Sequence, residues 1–151
     1  SQYDVLPTLL EYTGLDASGF GDLPGRSFAG AMRGEEGGDR DHVVVYDEYG
    51  PVRMVRTEDW KYIHRYAYGP CELYDVQDDP GEERNLLGDP ACASKVRELR
   101  GLLVEWFARH VDPACNGALE GVTGSGQRAL CGSAAGGCEP FDRTRVEELL
   151  P

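Results

Sequence analysis

Between Val52 and Val76 the chain alternates between two sets of side chains. Val52, Met54 and Arg56 interleave with Arg53, Val55 and Thr57, and a period of two puts successive residues on opposite faces of a strand. After the polar turn Thr57-Glu58-Asp59, Trp60, Tyr62, His64 and Tyr66 share one face, and Lys61, Ile63 and Arg65 take the other. Pro70 ends a loop, Cys71 to Val76 resumes the alternation, and Asp79-Pro80-Gly81 turns the chain. Upstream, His42 to Glu48 carries Val43, Val44 and Val45 in a row, a β-branched run that predicts a further strand. Gly50-Pro51 would turn it into the next one. The pattern predicts a small antiparallel meander of about four strands.

Two stretches switch to helical spacing. Val5, Leu6, Leu9 and Leu10 form an apolar stripe with Asp4 as a candidate N-cap, Pro7 in the opening turn and Gly14 as the stop. Asp89-Pro90 starts a second helix. Its apolar side is Cys92, Val96, Leu99, Leu103, Trp106 and His110, with Arg97, Arg100, Glu105 and Arg109 mostly opposite; Asp112-Pro113 ends it. Residues 16 to 41 read as loop, with one helical turn around Phe28, Ala31 and Met32. Residues 34 to 41 form a polar, glycine-rich linker. The stretch 114 to 139 has no period, and Thr144 to Glu147 reads as a capping box before a short terminal helix.

The wording of these segments resembles one family. RMVRTEDWKYI followed by ELYDVQDDPGEERNLL is similar to the closing segment of bacterial-type sulfatases of the alkaline-phosphatase-like superfamily. Asp4-Val5-Leu6-Pro7-Thr8-Leu9-Leu10 with Gly25-Arg26-Ser27-Phe28 resembles the last helix of the catalytic domain and the loop after it. The resemblance runs from about Tyr3 to Val111. It implies an α+β fold: a small antiparallel sheet packed by one long C-terminal helix, as the C-terminal subdomain of an alkaline-phosphatase-like fold. It divides the chain into residues 1–41, the end of a catalytic domain; 42–112, the subdomain; and 113–151, an irregular Gly/Cys-rich tail.

Charge narrows the partners. The 151 residues carry a net charge of −12, which argues against nucleic acid and anionic membrane surfaces. No apolar run reaches membrane-spanning length. The start is neither basic nor followed by an apolar h-region, and it opens abruptly on a helix, as a fragment would. Five cysteines leave at least one without an intrachain partner. Cys71 and Cys92 read as small buried hydrophobes, while Cys115, Cys131 and Cys138 are the disulfide candidates, their pairing open. Nothing in the sequence assigns a compartment.

Family members oxidise a Cys or Ser in C/S-x-P-x-R to formylglycine, and a calcium or magnesium ion neutralises the sulfate charge. Both are expected in the full-length protein, and neither nucleophile nor metal ligands are expected here. Cys138-Glu139-Pro140-Phe141-Asp142 places an aspartate where arginine is required. The run Asp75 to Glu82 fails the EF-hand pattern and reads as a turn whose carboxylates cap N–H groups. His110, Cys115, Cys131 and Cys138 lack zinc-site spacing, and Gly121 to Gly126 lacks the preceding strand of a phosphate loop. Arg53, Arg56, Lys61 and Arg65 are the one basic cluster, expected to pair with Glu48, Glu58, Glu72 and Asp75 across strands. Arg53 and His64 are the candidates for a substrate rim.

The expectation is therefore an inactive, structural C-terminal piece of a sulfatase. Its partners are a missing N-terminal catalytic domain and, for the whole protein, a small-molecule sulfate ester. Two alternatives stand beside it: a phosphate or phosphonate ester hydrolase of the same superfamily, and a non-catalytic interaction module.

Overall fold

The structure, a computed structural model, describes residues 1–16, 18–35, 40–46, 52–65 and 70–113. Glu48, the Gly50-Pro51 turn, Tyr66, Cys115, Cys131, Cys138 and the terminal capping box lie outside the described residues. By its internal contacts the chain separates into two units, Ser1–Val43 and the remainder from Val44.

In the first unit a 3-10 turn, Gln2–Asp4, leads into α1, Val5–Thr13. Pro7 stands third in α1, where an N–H has no intrahelical acceptor. Gly14 closes the helix at φ 70°, and Gly14 N–H to Glu11 O with Leu15 N–H to Leu10 O gives a Schellman stop. The expectation that Asp4 caps α1 needs correction: its side chain makes no cap bond to that helix. The buried carboxylate instead accepts from the Arg26 N–H at 2.8 Å and from the Arg40 guanidinium. Thr8 repeats the device, donating to Asp4 O at 2.5 Å and accepting from the Phe28 N–H at 3.1 Å. Two polar side chains of the helix thus satisfy the N–H groups of the Gly25–Phe28 loop, which leads into α2, Ala29–Met32. Gly25 lies so close that a Cβ there would stand 1.8 Å from Tyr3 O.

The other side of α1 is uncovered within its unit. Leu10 is buried, while Val5, Leu6, Leu9 and Tyr12 are exposed, Leu9 by 55%. The apolar stripe read from the sequence is real, and most of it faces outward.

The second unit is a four-stranded antiparallel sheet in the order β1, β2, β3, β4: Val43–Tyr46, Val52–Arg56, Trp60–Arg65 and Glu72–Asp75. The sheet is held in register by three turns and clamps. Thr57 closes the β2–β3 turn, donating N–H to Trp60 O at 2.9 Å and accepting the Trp60 N–H on Oγ1 at 3.0 Å. Asp79 accepts the Glu83 and Arg84 N–H groups, so Glu82 can turn at φ 54°. Asn85 accepts the Leu73 N–H at 3.0 Å and donates to Cys71 O at 3.2 Å, with Leu86 N–H to Leu73 O at 2.8 Å. The outer edge of β4 is thereby occupied rather than left as an open template.

Register puts Val55 opposite Tyr62 and Tyr62 opposite Leu73, a buried row across three strands. On it lies α3, Ala93–His110, entered through the 3-10 turn Pro90–Cys92 with Asp89 Oδ1 capping the Ala91 N–H at 2.9 Å. Leu99, Leu103 and Phe107 are its buried residues. This corrects the spacing read from the sequence: steps of four from Leu99 reach Phe107, and Trp106 flanks it half-buried, ring centroids 5.0 Å apart. Cys71 and Cys92 are free thiols at the border of this core. No helix among the described residues is long and apolar enough to cross a membrane.

Two expectations follow. Leu103→Ala should cost about 2–5 kcal/mol, from lost burial and the cavity left behind, whereas Val104→Ala on the exposed side should stay within about 0.5 kcal/mol; urea unfolding monitored by tryptophan fluorescence compares them. Gly25→Ala should cost about 1–3 kcal/mol, because its methyl group forces the Tyr3 backbone aside. A Gly25→Ala chain melting at the wild-type temperature contradicts that placement.

Candidate functional site

The two rim candidates meet. Arg53 on β2 and His64 on β3 are Cα partners, so both stand on the face that carries Val55, Tyr62 and α3. Arg53 is only 3% exposed, and its Cζ lies 3.5 Å from the centroid of the Phe107 ring. A guanidinium is weakly hydrated and planar, so it tolerates this position over an aromatic face better than an ammonium would.

His64 is half-buried. Its Nδ1 lies 2.7 Å from Tyr62 Oη and 3.8 Å from Cys71 Sγ. Cys71 Sγ also accepts the Arg65 N–H at 3.4 Å. Burial first, then the positive charges of Arg100 and Arg53, hold the His64 imidazole below its ordinary value of 6.5. At neutral pH the group is therefore an uncharged ring that donates through one nitrogen and accepts through the other. The site offers a fixed cation, a neutral imidazole and an exposed cation, Arg100.

The remaining basic residues take other roles. Arg65 pairs with Glu72 at 2.5 Å, as the cross-strand reading expects. Lys61 does not pair with a strand neighbour. Its ammonium reaches Glu82 at 2.5 Å, because the Asp79-centred turn folds that carboxylate back under β3. Arg56 is exposed. The carboxylates of Asp75 and Asp79 bind backbone N–H groups, the capping role expected of that acidic run. Among the described residues no group of three or more His, Cys, Asp or Glu could hold a metal ion. His110 rests on Trp106, ring centroids 5.2 Å apart, and its three cysteine companions lie outside the described residues.

The sequence reading put Tyr62 on the His64 face of β3 and Arg100 on the outer side of α3, where it is exposed. What it missed is Cys71: read as a small buried hydrophobe, it brings its Sγ within 3.8 Å of His64 Nδ1.

The depressed value of His64 has a definite consequence. The folded state favours the neutral ring, so its contribution is fully present above about pH 6.5 and lost as pH falls through the lower folded value. Below pH 6.5 unfolding free energy should fall more steeply for the wild type than for His64→Gln. Parallel curves from pH 8 to 5 would show that Arg53, Arg100, Tyr62 and Cys71 do not act on the ring as described.

Comparison with known proteins adds a second line of evidence. The family model for N-sulphoglucosamine sulphohydrolase, C-terminal, matches residues 1–108. Delta 4,5-hexuronate-2-O-sulfatase of Bacteroides thetaiotaomicron is 36% identical over 117 residues, covering 72% of this chain and 24% of that protein. The solved structure of a 2-O GAG sulfatase is 37% identical with a TM-score of 0.57, over 70% of this chain and 24% of that one. Phosphonate monoester hydrolase of Agrobacterium radiobacter is 27% identical with a TM-score of 0.59, over 72% of this chain and 25% of that one. The chain thus spans about a quarter of the length of these relatives.

Proposed function

Since this chain belongs to the N-sulphoglucosamine sulphohydrolase C-terminal family, the C-terminal portion of sulfatases in the alkaline-phosphatase-like superfamily, we propose that the protein it is part of hydrolyses sulfate esters. The observation that carries this is the family match through both units, from α1 to the body of α3. The name of the 36% identical relative supports a sulfated uronate-type sugar as the substrate class. Residues 1–41 are assigned as the end of the catalytic domain, 42–112 as the subdomain and 113–151 as a tail.

In the whole protein a formylglycine hydrate would supply the nucleophile, and a calcium or magnesium ion would neutralise the sulfate. The described residues do not fit that ion: no group of three or more His, Cys, Asp or Glu comes together among them, and Asp75 Oδ1 and both Asp79 oxygens accept backbone N–H groups. This chain's contribution is bracing: the exposed Val5, Leu6, Leu9 and Tyr12 offer an apolar face for a larger neighbour. Of the two rim candidates, His64 keeps partial exposure and is the one offered to an anionic substituent of the sugar, while Arg53 is covered by Phe107.

A second reading has its own support. The likeness to a phosphonate monoester hydrolase is structural as well as sequential. Full-length protein assayed with an aryl sulfate, an aryl phosphate and a phosphonate monoester should turn over the sulfate fastest. The 151-residue chain alone should turn over none. Sulfate release by that chain, abolished by Cys138→Ala, overturns the structural role. Sedimentation addresses the interaction-module alternative: the isolated chain should self-associate, and Leu6→Gln with Leu9→Gln should reduce this. A well-behaved wild-type monomer favours the module.

A further inference from the structure

We propose that Asp4, Thr8 and Glu11 form a latch by which α1 holds the Gly25–Phe28 loop and seats α2, and that the Asp4 carboxylate is the rung whose neutralisation releases the loop. The inference concerns a device within the first unit and stands whatever reaction the whole protein runs.

Spacing makes the latch. Positions 4, 8 and 11 are four and three residues apart, so their side chains line one face of the opening turn and α1. Each meets one of three successive loop residues. Asp4 Oδ1 accepts the Arg26 N–H at 2.8 Å, Glu11 accepts the Ser27 hydroxyl proton, and Thr8 Oγ1 accepts the Phe28 N–H at 3.1 Å. Chemistry fixes these directions: backbone N–H groups donate, carboxylates accept, and the Thr8 proton is placed on Asp4 O at 2.5 Å. Backbone contact closes the same seam, since Gly25 lies too near Tyr3 O to carry a Cβ.

The latch reaches past the loop. Ser27 Oγ, while donating to Glu11, accepts at 3.1 Å the N–H of Ala29, the first residue of α2. Glu11 Oε1 also takes Arg33 Nη2 at 2.9 Å, just after that helix. Glu11 thus engages both flanks of α2, whose Ala29 is fully buried. A four-residue helix does not persist by its own hydrogen bonds, so its seat depends on α1.

Of the two carboxylates, Asp4 is buried and Glu11 is exposed. An exposed ion pair contributes little, whereas a buried carboxylate facing several donors is strongly held. Asp4 is faced by the Ser1 ammonium, the Arg26 N–H and the Arg40 guanidinium; Glu11 is faced by Ser27 and Arg33, with Glu35 on the far side of Arg33. Burial raises the Asp4 value, but its three donors outweigh that and hold the carboxyl below its ordinary 3.8. The latch is therefore fully closed above about pH 3.8, and its Asp4 rung is lost as pH falls through the lower folded value.

Hydrogen–deuterium exchange of the full-length protein tests this, read in peptides spanning residues 25–29 and, as controls, in peptides from β4 and α3. Asp4→Asn keeps the shape and removes the charge. It should speed exchange at 25–29 about ten-fold at pH 7, the loss of charge-assisted bonds, with both controls at the wild-type rate. Thr8→Val, which removes an uncharged acceptor, should speed it less, about three-fold. Unchanged exchange at 25–29 in both variants overturns the latch, and so does an equal rise in the controls, which is global loosening. Should Asp4→Asn fail to fold, the wild type decides: lowered from pH 6 to pH 3, with intrinsic exchange rates divided out, it should lose protection at 25–29 before β4 and α3. Simultaneous loss in all three overturns the proposal.

Discussion

The second unit depends on one buried contact, the row Val55, Tyr62 and Leu73 beneath Leu99, Leu103 and Phe107. Each of β2, β3 and β4 contributes one side chain to the row, so a slip of one residue in any of the three would turn its apolar member to solvent. Burial at about 25 cal/mol per Å² makes that slip costly several times over. Everything polar in the unit is arranged around it. Thr57 fixes where β2 meets β3, and Asn85 binds the backbone of Leu73, the last member of the row.

The same row places the candidate site. Side chains repeat on a strand face every second residue, so the residues one step beyond Val55 and Tyr62 are Arg53, covered by Phe107 of α3, and His64, half-buried at the border of the row. Their chemistry follows from that border. Arg53 is drawn under Phe107 and becomes a fixed charge, while His64 keeps partial exposure and loses its own charge to the surroundings. A site assembled this way has its first partner, Tyr62, already locked by the core.

Much of this was legible in the sequence, for identifiable reasons. Alternation marked the strands β2 to β4 and their faces, because one face carries the buried Arg53, Val55, Tyr62 and Leu73. Asp89-Pro90 and Gly14 marked helix ends because few residue types satisfy those backbone positions. What local pattern could not show were the long-range uses of polar groups. Asp4 looked like a cap, yet its carboxylate crosses to Arg26 and Arg40. Lys61 looked cross-strand, yet Glu82 is folded back to it. Phe107 was hidden by Trp106, since two adjacent aromatics both fit the seam and only the sheet's shape chooses.

The first unit makes the complementary case. Polar groups are bonded within it: Asp4 and Thr8 accept the Arg26 and Phe28 N–H groups of the Gly25–Phe28 loop. Val5, Leu6, Leu9 and Tyr12, by contrast, remain exposed. A segment selected to stand alone would show the reverse economy, hiding hydrocarbon first and letting water satisfy a surface loop. Precise loop geometry beside an uncovered apolar stripe is what a surface prepared to meet a larger neighbour requires. In the proposed bracing role the hydrogen bonds set the shape of the face, and the stripe would supply the free energy of docking once a neighbour excluded water from it.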